Sequence, residues 1–277
     1  MLISEALKAA AEQLQETSDA SELDARWLLL QVLQESETRE ASWLDAHGDE
    51  ELTTVAEQHF RRLIDERATG RPLAYLLGWW EFYGRRFRIT EDVLIPRPTT
   101  EQLVDETLDY LTTTLRNVAV KRGQPFVVAD VGTGSGCIAV TLALESGMRN
   151  QELRFIATDI SPAALAVAQE NARRHGVADK IEFIAGNMLI PLQGRSVDLI
   201  VSNPPYVPTR ELSPEPPGAQ GKSDPSRAGL RFEPQIALDG GPDGQRFTKS
   251  LLNLAVPSLV EVTGGDVRQS LGHTMPA

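Results

Sequence analysis

Asp130-Val131-Gly132-Thr133-Gly134-Ser135-Gly136 is the stretch whose reading decides the fold. It follows an apolar run, Pro125 to Val131, that reads as a strand, and it opens a helix-like run from Gly136 to Leu144. Glycines at alternate positions let the backbone turn sharply and let a ligand approach it closely. The helix that follows would offer unpaired N–H groups at its start. The spacing is G-x-G-x-G, which is neither the G-x-G-x-x-G of dinucleotide binders nor the G-x-x-x-x-G-K-[ST] of phosphate loops. Asp130 stands where it would hold the turn or meet the amino group of a bound amino acid.

Downstream, strand and helix signals alternate. Leu153 to Thr158 reads as a second strand and ends at Asp159, whose carboxylate can accept bonds from both hydroxyls of a ribose. Ser161-Pro162 begins a helix that runs to about His175, because serine caps free N–H groups and proline suits the first helical position. Lys180 to Ile184 and Val197 to Ser202 read as a third and a fourth strand. This alternation implies an α/β fold with a parallel, Rossmann-like sheet wound on both faces.

Asn203-Pro204-Pro205-Tyr206 follows the fourth strand directly, at the carboxyl edge where open parallel sheets bind ligands. Two prolines fix φ and remove two N–H donors, so the Asn203 side chain and the Pro204 carbonyl would face outward as free acceptors. A carboxamide nitrogen is a poor nucleophile because its lone pair is delocalised into the carbonyl. Two acceptors that bind its N–H groups would hold it against a sulfonium methyl and favour partial pyramidalisation. Methyl transfer would then proceed by placement and charge, with Tyr206 as an apolar wall. Asn203, Pro204 and Tyr206 are thus the candidate catalytic residues, and the whole segment Asn203 to Tyr206 the candidate substrate clamp.

Upstream, Leu2 to about Ala68 is helical in pattern. Ile3, Leu7, Ala10 and Leu14 recur at helical spacing, Ser21 with Asp24 resembles a capping box ahead of Trp27, Leu28, Leu30 and Leu33, and Leu52, Val55, Phe60 and Leu63 would share one face. A small helical bundle over residues 1–70 fits. Gly70-Arg71-Pro72 breaks the pattern, and Trp79 to Ile95 alternates like a β-hairpin, giving a linker over residues 71–98. A helix is expected from about Thr100 to Leu115, inside a domain spanning residues 99–277. Ser213 to Arg231, rich in proline, glycine and charge, reads as a mobile surface loop.

Composition narrows the function classes. The chain has 277 residues, 41% hydrophobic and 24% charged, with a formal net charge of −12. That acidic balance disfavours a direct grip on nucleic acid. Cys137 is the single cysteine, so no internal disulfide forms, and His47, His59, His175 and His273 lack metal-ligand spacing. No metal is expected. No apolar run approaches the length of a membrane span and the N-terminus has no signal-peptide layout, so a cytoplasmic location is expected.

The chain resembles the bacterial release-factor glutamine N5-methyltransferases over roughly Arg71 to Gly244. The resemblance is carried by Arg71-Pro72-Leu73-Ala74-Tyr75, Glu81-Phe82-Tyr83-Gly84 and Val93-Leu94-Ile95-Pro96-Arg97-Pro98, then by the glycine loop, Asp159 and Asn203-Pro204-Pro205-Tyr206. Glu233-Pro234 and Ala237-Leu238-Asp239-Gly240-Gly241 complete it. Asn-Pro-Pro-Tyr alone is shared with adenine and ribosomal-protein methyltransferases, whereas Phe82 to Pro98 is far more specific. The resemblance implies a helical substrate-recognition domain, a hairpin linker and a seven-strand class I methyltransferase domain. It implies S-adenosyl-L-methionine as cofactor and, as partner and substrate, the glutamine of the Gly-Gly-Gln motif in class-1 peptide chain release factors. By motif position Asp130, Gly132, Thr133, Gly134, Ser135, Gly136, Asp159, Asn187, Met188 and Asn203 would bind the cofactor. Asn203 and Pro204 to Tyr206 would hold the glutamine. Thr99 and Asn187 stand where the family usually has glutamate and often aspartate. The loop from Ser213 is longer than usual. After Gly244 a helix over Gln245 to Leu259 is expected, while Val260 to Ala277 matches poorly. The last hairpin of the sheet is therefore expected to be missing or altered, which would leave a non-catalytic, partner-binding remnant as the alternative to an enzyme.

Overall fold

The computed structural model describes residues 1–33, 41–122, 125–146, 153–212, 229–254 and 259–262. The chain divides into two compact units, one of Met1–Trp79 with residues of Pro216–Phe232, the other of Trp80–Glu215 and Glu233–Ala277.

The first unit is helical: α1 (Ile3–Leu14), α2 (Ser21–Val32), α3 (Ala41–Ala46), α4 (Thr54–Ala68) and α5 (Leu73–Leu77). Ile3, Ala6, Ala10 and Leu14 bury one stripe of α1 against Ala25, Leu28 and Leu29 of α2 and Phe60, Leu63 and Ile64 of α4. Two expectations are corrected here. Ser21 is the first residue of α2 rather than its cap, and Asp24 turns inward. There Asp24 accepts from Arg67 Nε at 2.7 Å and from Ser18 Oγ at 2.7 Å, so the buried ion pair takes the carboxylate that a capping box would have used. In α4, Thr53 is the cap, its hydroxyl accepting from Ala56 N at 3.2 Å. The helix therefore starts after Leu52, and Val55 falls on the outer face, 77% exposed.

Next comes a hairpin, β1 (Trp79–Phe82) and β2 (Arg85–Arg88), which from Trp80 on belongs to the second unit. Its two-residue turn, Tyr83-Gly84, has φ of 53° and 68°, the left-handed pair that matches the twist of the strands. A tyrosine tolerates that φ because it is held at both ends: its N–H donates to Glu101 at 2.6 Å and its hydroxyl to Asp105 at 2.7 Å. Then follow α6 (Pro98–Arg122), β3 (Phe126–Val131), α7 (Cys137–Ser146), β4 (Leu153–Asp159), α8 (Pro162–Arg174), β5 (Ile181–Ala185), β6 (Leu199–Ser202), α9 (Arg246–Leu254) and β7 (Leu259–Val262). Ser161 caps α8 as expected, accepting from Ala164 N at 3.2 Å. Helix α6 starts two residues earlier and runs longer than its sequence pattern suggests.

The sheet order is β5-β4-β3-β6-β7, with every pair parallel. Every residue of β6 is buried, which is why it reads as an unbroken apolar run and not as an alternation. The core under the strands gathers Ala129, Val131, Ile156, Ile200 and Leu251. Leu259 lies in a strand that pairs with Leu199, and the helix expected to reach it ends at Leu254. The expected proline-rich loop falls largely on residues 213–228 and the expected altered hairpin on residues 263–277, both outside the described residues.

Asn171 of α8 joins three parts of this unit. Its Nδ2 donates to Ser135 O at 2.8 Å and to Arg88 O at 3.0 Å, and its Oδ1 accepts from Arg88 N at 2.7 Å. The residue is fully buried, as is its bond to Ser135 O, so a substitution strands that carbonyl away from water. Asn171→Ala is expected to cost about 1–3 kcal/mol for each buried group left unpaired. A drop in thermal midpoint of several degrees checks this, and an unchanged midpoint contradicts the bracing role.

Candidate active site

The strand order reverses at β3: β4 and β5 lie to one side, β6 and β7 to the other. Such a reversal leaves a crevice at the carboxyl ends of the strands. The register says what faces it. Val131 pairs with Thr158, so Gly132 follows beside Asp159. Asp130 pairs with Val201, so two residues further on Gly132 lies level with Asn203. Sheet geometry alone thus sets the glycine loop between the two candidate polar groups.

The loop is built for a close approach. Gly132, Gly134 and Gly136 have φ of 75°, 56° and 80°, a region that other residues rarely adopt. Added β-carbons at Gly132 and Gly134 would meet no atom within 4 Å, so open space lies over the backbone. At Gly136 a β-carbon would lie 2.9 Å from that of Ala168, so this third glycine serves helix packing instead. The loop's own N–H groups are largely taken up within the protein, and at the start of the following helix Ala139 N donates to Asp130. Gly132 N and Thr133 N donate to Thr158 O at 2.8 and 2.9 Å, Gly134 N to Asp159 Oδ2 at 2.9 Å, and Gly136 N to Thr133 O at 2.8 Å. A loop with its donors spent in this way does not cradle a phosphate.

Asp130 holds the turn. Its Oδ2 accepts from Thr133 Oγ1 at 2.6 Å and from Ala139 N at 3.2 Å, while Oδ1 is buried without a hydrogen-bond partner. Burial pushes its pKa up to about 7, against the lowering effect of those two bonds and with a further push from Asp159. Asp159 accepts from Gly134 N and, through Oδ1, from Ser161 N at 2.9 Å. A carboxylate has about four acceptor positions, so it retains capacity for a ligand.

A cavity of about 410 Å³ joins these parts. Of the sequence candidates it is lined by Gly132 to Ser135, Asp159, Asn187, Met188, Asn203, Pro204 and Pro205. Met188 has a φ of 52°, a strained conformation for a non-glycine residue at a cavity wall. Asp130, Gly136 and Tyr206 are not among the lining residues: the first two support the loop from behind, and Tyr206 is backed by a neighbouring turn. Sequence reading missed Thr100, Leu94, Ile160, Ile236 and Phe247, which also line the cavity. Of these, Leu94 lies in a quoted motif and Thr100 stands at the threonine of the family's Pro-Arg-Pro-Glu-Thr-Glu. Cys137 lines it too, but burial pushes its thiol up to about 12, so it is not a nucleophile.

The segment after β6 is rigidly seated. Ser202 Oγ donates to Val131 O at 2.6 Å, tying β6 to β3 just before the motif. Asn203 Nδ2 donates to Thr100 Oγ1 at 2.9 Å. Val207 N donates to Leu238 O and Gly240 N to Val207 O, both at 2.9 Å, forming a short parallel bridge behind Tyr206. A β-carbon on Gly240 would meet Pro205 O and Tyr206 Cα at 2.8 Å, so only glycine lets this turn pack so closely. That accounts for Ala237-Leu238-Asp239-Gly240-Gly241 as a motif. Glu233, buried, accepts from Ile95 N at 3.2 Å and pairs with Arg97, joining two further walls of the cavity.

The model described as the PrmC N-terminal domain matches residues 5–78, and that of the methyltransferase small domain matches residues 100–215. A release factor glutamine methyltransferase of Bacillus cereus is 33% identical over 288 residues, covering 100% of this chain and 92% of that protein. Proteins of the same name from Moorella thermoacetica and Nitratidesulfovibrio vulgaris are 44% and 40% identical over 75% and 70% of this chain. Those two matches span 65% and 58% of the relatives' own lengths, less than two thirds of either.

The raised pKa of Asp130 has a consequence for stability. Between 3.8 and about 7 the folded protein keeps a proton that the unfolded chain has released. The stability this group contributes is therefore complete in acid and lost as pH rises through that window. Asp130→Asn should remove this component, so its urea midpoint should fall less steeply with rising pH than that of the wild type. Parallel slopes would contradict the buried, protonated state.

Proposed function

The chain belongs to the release factor glutamine methyltransferase family, and from that premise we propose that it transfers a methyl group from S-adenosylmethionine to a release-factor glutamine. The acceptor is the side-chain amide nitrogen of the glutamine in the Gly-Gly-Gln motif of class-1 factors. The observation that carries this reading is the meeting in one cavity of the open glycine loop, Asp159 and Asn203. The second unit is a Rossmann-like α/β sheet of the class I methyltransferase kind.

The residues fit such a cofactor. S-adenosylmethionine carries no phosphate, which suits a loop whose N–H groups are already bonded, and its ribose suits the spare acceptor capacity of Asp159. Gly132 to Ser135 would lie along the methionine part, and Asn187 and Met188 beside the base. When bound, it supplies an electrophilic methyl: the bond from the amide nitrogen to that carbon forms as the carbon–sulfur bond breaks, the electron pair stays on sulfur, and a proton leaves the nitrogen for solvent. The chain's part is placement. Asn203 Oδ1 and the Pro204 carbonyl accept the two amide N–H bonds, turning the nitrogen lone pair toward the methyl. Pro204 and Pro205, which line the cavity where Tyr206 does not, contribute no donor that would compete. No strong base is needed, because the nitrogen becomes acidic only after it is methylated.

The helical unit would recognise the body of the release factor. A partner from translation goes with a cytoplasmic location, and among the described residues no helix is long and apolar enough to cross a membrane. The net charge of −12 supports a protein substrate over direct nucleic-acid binding.

Mass spectrometry of a class-1 release factor incubated with the protein and S-adenosylmethionine should show one added methyl on the Gly-Gly-Gln peptide. An unmodified peptide, or methyl transferred to DNA or RNA instead, overturns the reading. Asn203→Ala should lower kcat by about 10²–10³ while cofactor affinity falls less. Asp159→Ala should weaken cofactor binding by about 10–100-fold, the loss of charge-assisted hydrogen bonds, and calorimetry with S-adenosylhomocysteine would reveal an unchanged Kd if that role is wrong.

A further inference from the structure

We infer that Thr100 is a positioning residue that holds the carboxamide of Asn203 with its oxygen toward the cavity. The inference rests on the function proposed above and deepens it. A carboxamide is nearly symmetrical in shape but not in polarity: one end accepts and the other donates. A clamp for an amide nitrogen must present the accepting end. Turned over, Asn203 would set its own N–H donors against those of the target and repel it.

Nothing local to the motif makes that choice. The prolines at 204 and 205 restrain the main chain, but the terminal torsion of an asparagine is broad and roughly two-fold. The restraint comes from an element far away in sequence. Thr100 Oγ1 accepts from Asn203 Nδ2 at 2.9 Å across a separation of 103 residues. Thr100 is 2% exposed, so its hydroxyl is not free to exchange this partner for bulk water. Its backbone is set as well, because Thr100 N donates to Arg97 O at 2.9 Å in the first turn of α6. Arg97 is in turn paired to the buried Glu233. The amide plane of Asn203 is thereby tied to a helix start that the rest of the unit holds in place. Oδ1, with the prolines offering no N–H, is left for the ligand.

Thr100 lines the cavity, and in this account it acts through Asn203. Thr100→Val keeps the shape and removes the bond, and Thr100→Ser keeps the bond and removes a methyl. Thr100→Val should lower kcat for release-factor methylation by about 10–100-fold, the scale of a misplaced reacting group. The Kd for S-adenosylhomocysteine and the thermal midpoint should stay close to wild type, and Thr100→Ser should restore most of the rate. In nitrogen-15 spectra the two side-chain amide protons of Asn203 should lose their slow exchange in Thr100→Val alone. Wild-type kcat in Thr100→Val, or equal losses of rate and thermal midpoint in both variants, overturns the inference in favour of simple packing. Unchanged Asn203 resonances in Thr100→Val overturn it whatever the substrate is, whereas an inactive wild type counts against the proposed function and not against the bond.

Discussion

The parallel pairing of β3 with β4 on one side and β6 on the other is the constraint on which the site depends. Once Val131 is in register with Thr158 and Asp130 with Val201, Gly132 has Asp159 on one side and Asn203 on the other. No side chain has to reach across the molecule to bring them together. The space above Gly132 is open, and glycine is the residue that leaves it open down to the backbone. Everything else in the unit keeps that arrangement rigid. Asn171 ties the loop to the hairpin, Ser202 ties β6 to β3, and the turn at Gly240 backs the motif from outside.

Much of this was legible in the sequence because it is local. Buried parallel strands read as continuous apolar runs, and Ser161-Pro162 announces a helix start by chemistry that needs no tertiary partner. The glycine loop and Asn203-Pro204-Pro205-Tyr206 could be placed at strand ends for the same reason. What was not legible depends on distant partners. Ser21 and Asp24 have the spacing of a capping box, but Arg67 claims the carboxylate. Thr53, not the apolar stripe, decides where α4 begins and therefore leaves Val55 outside. The donors of the glycine loop looked free because Thr158 and Asp159, which take them, lie on another strand. Thr100 stands at the threonine of the family's Pro-Arg-Pro-Glu-Thr-Glu pattern, but only the fold sets it against Asn203.

The spent donors and the buried Asp130 also bear on what the cavity accepts. An anion-binding loop points unpaired N–H groups at its ligand, as the ends of helices in phosphate sites do. Here the loop is internally bonded and flanked by two carboxyl groups, one of them holding its proton up to about pH 7. That environment suits a ligand with polar hydroxyls over one with phosphates. Asn203 then decides what the second ligand is, since its outward oxygen asks for a donor.

The most direct measurement is a structure of the protein with S-adenosylhomocysteine and a Gly-Gly-Gln peptide bound together. The account predicts the homocysteine part along Gly132 to Ser135 with the ribose on Asp159, and the glutamine amide nitrogen within hydrogen-bond distance of Asn203 Oδ1 while Nδ2 remains on Thr100. A glutamine bound elsewhere, or an Asn203 turned with Nδ2 toward the peptide, would contradict it.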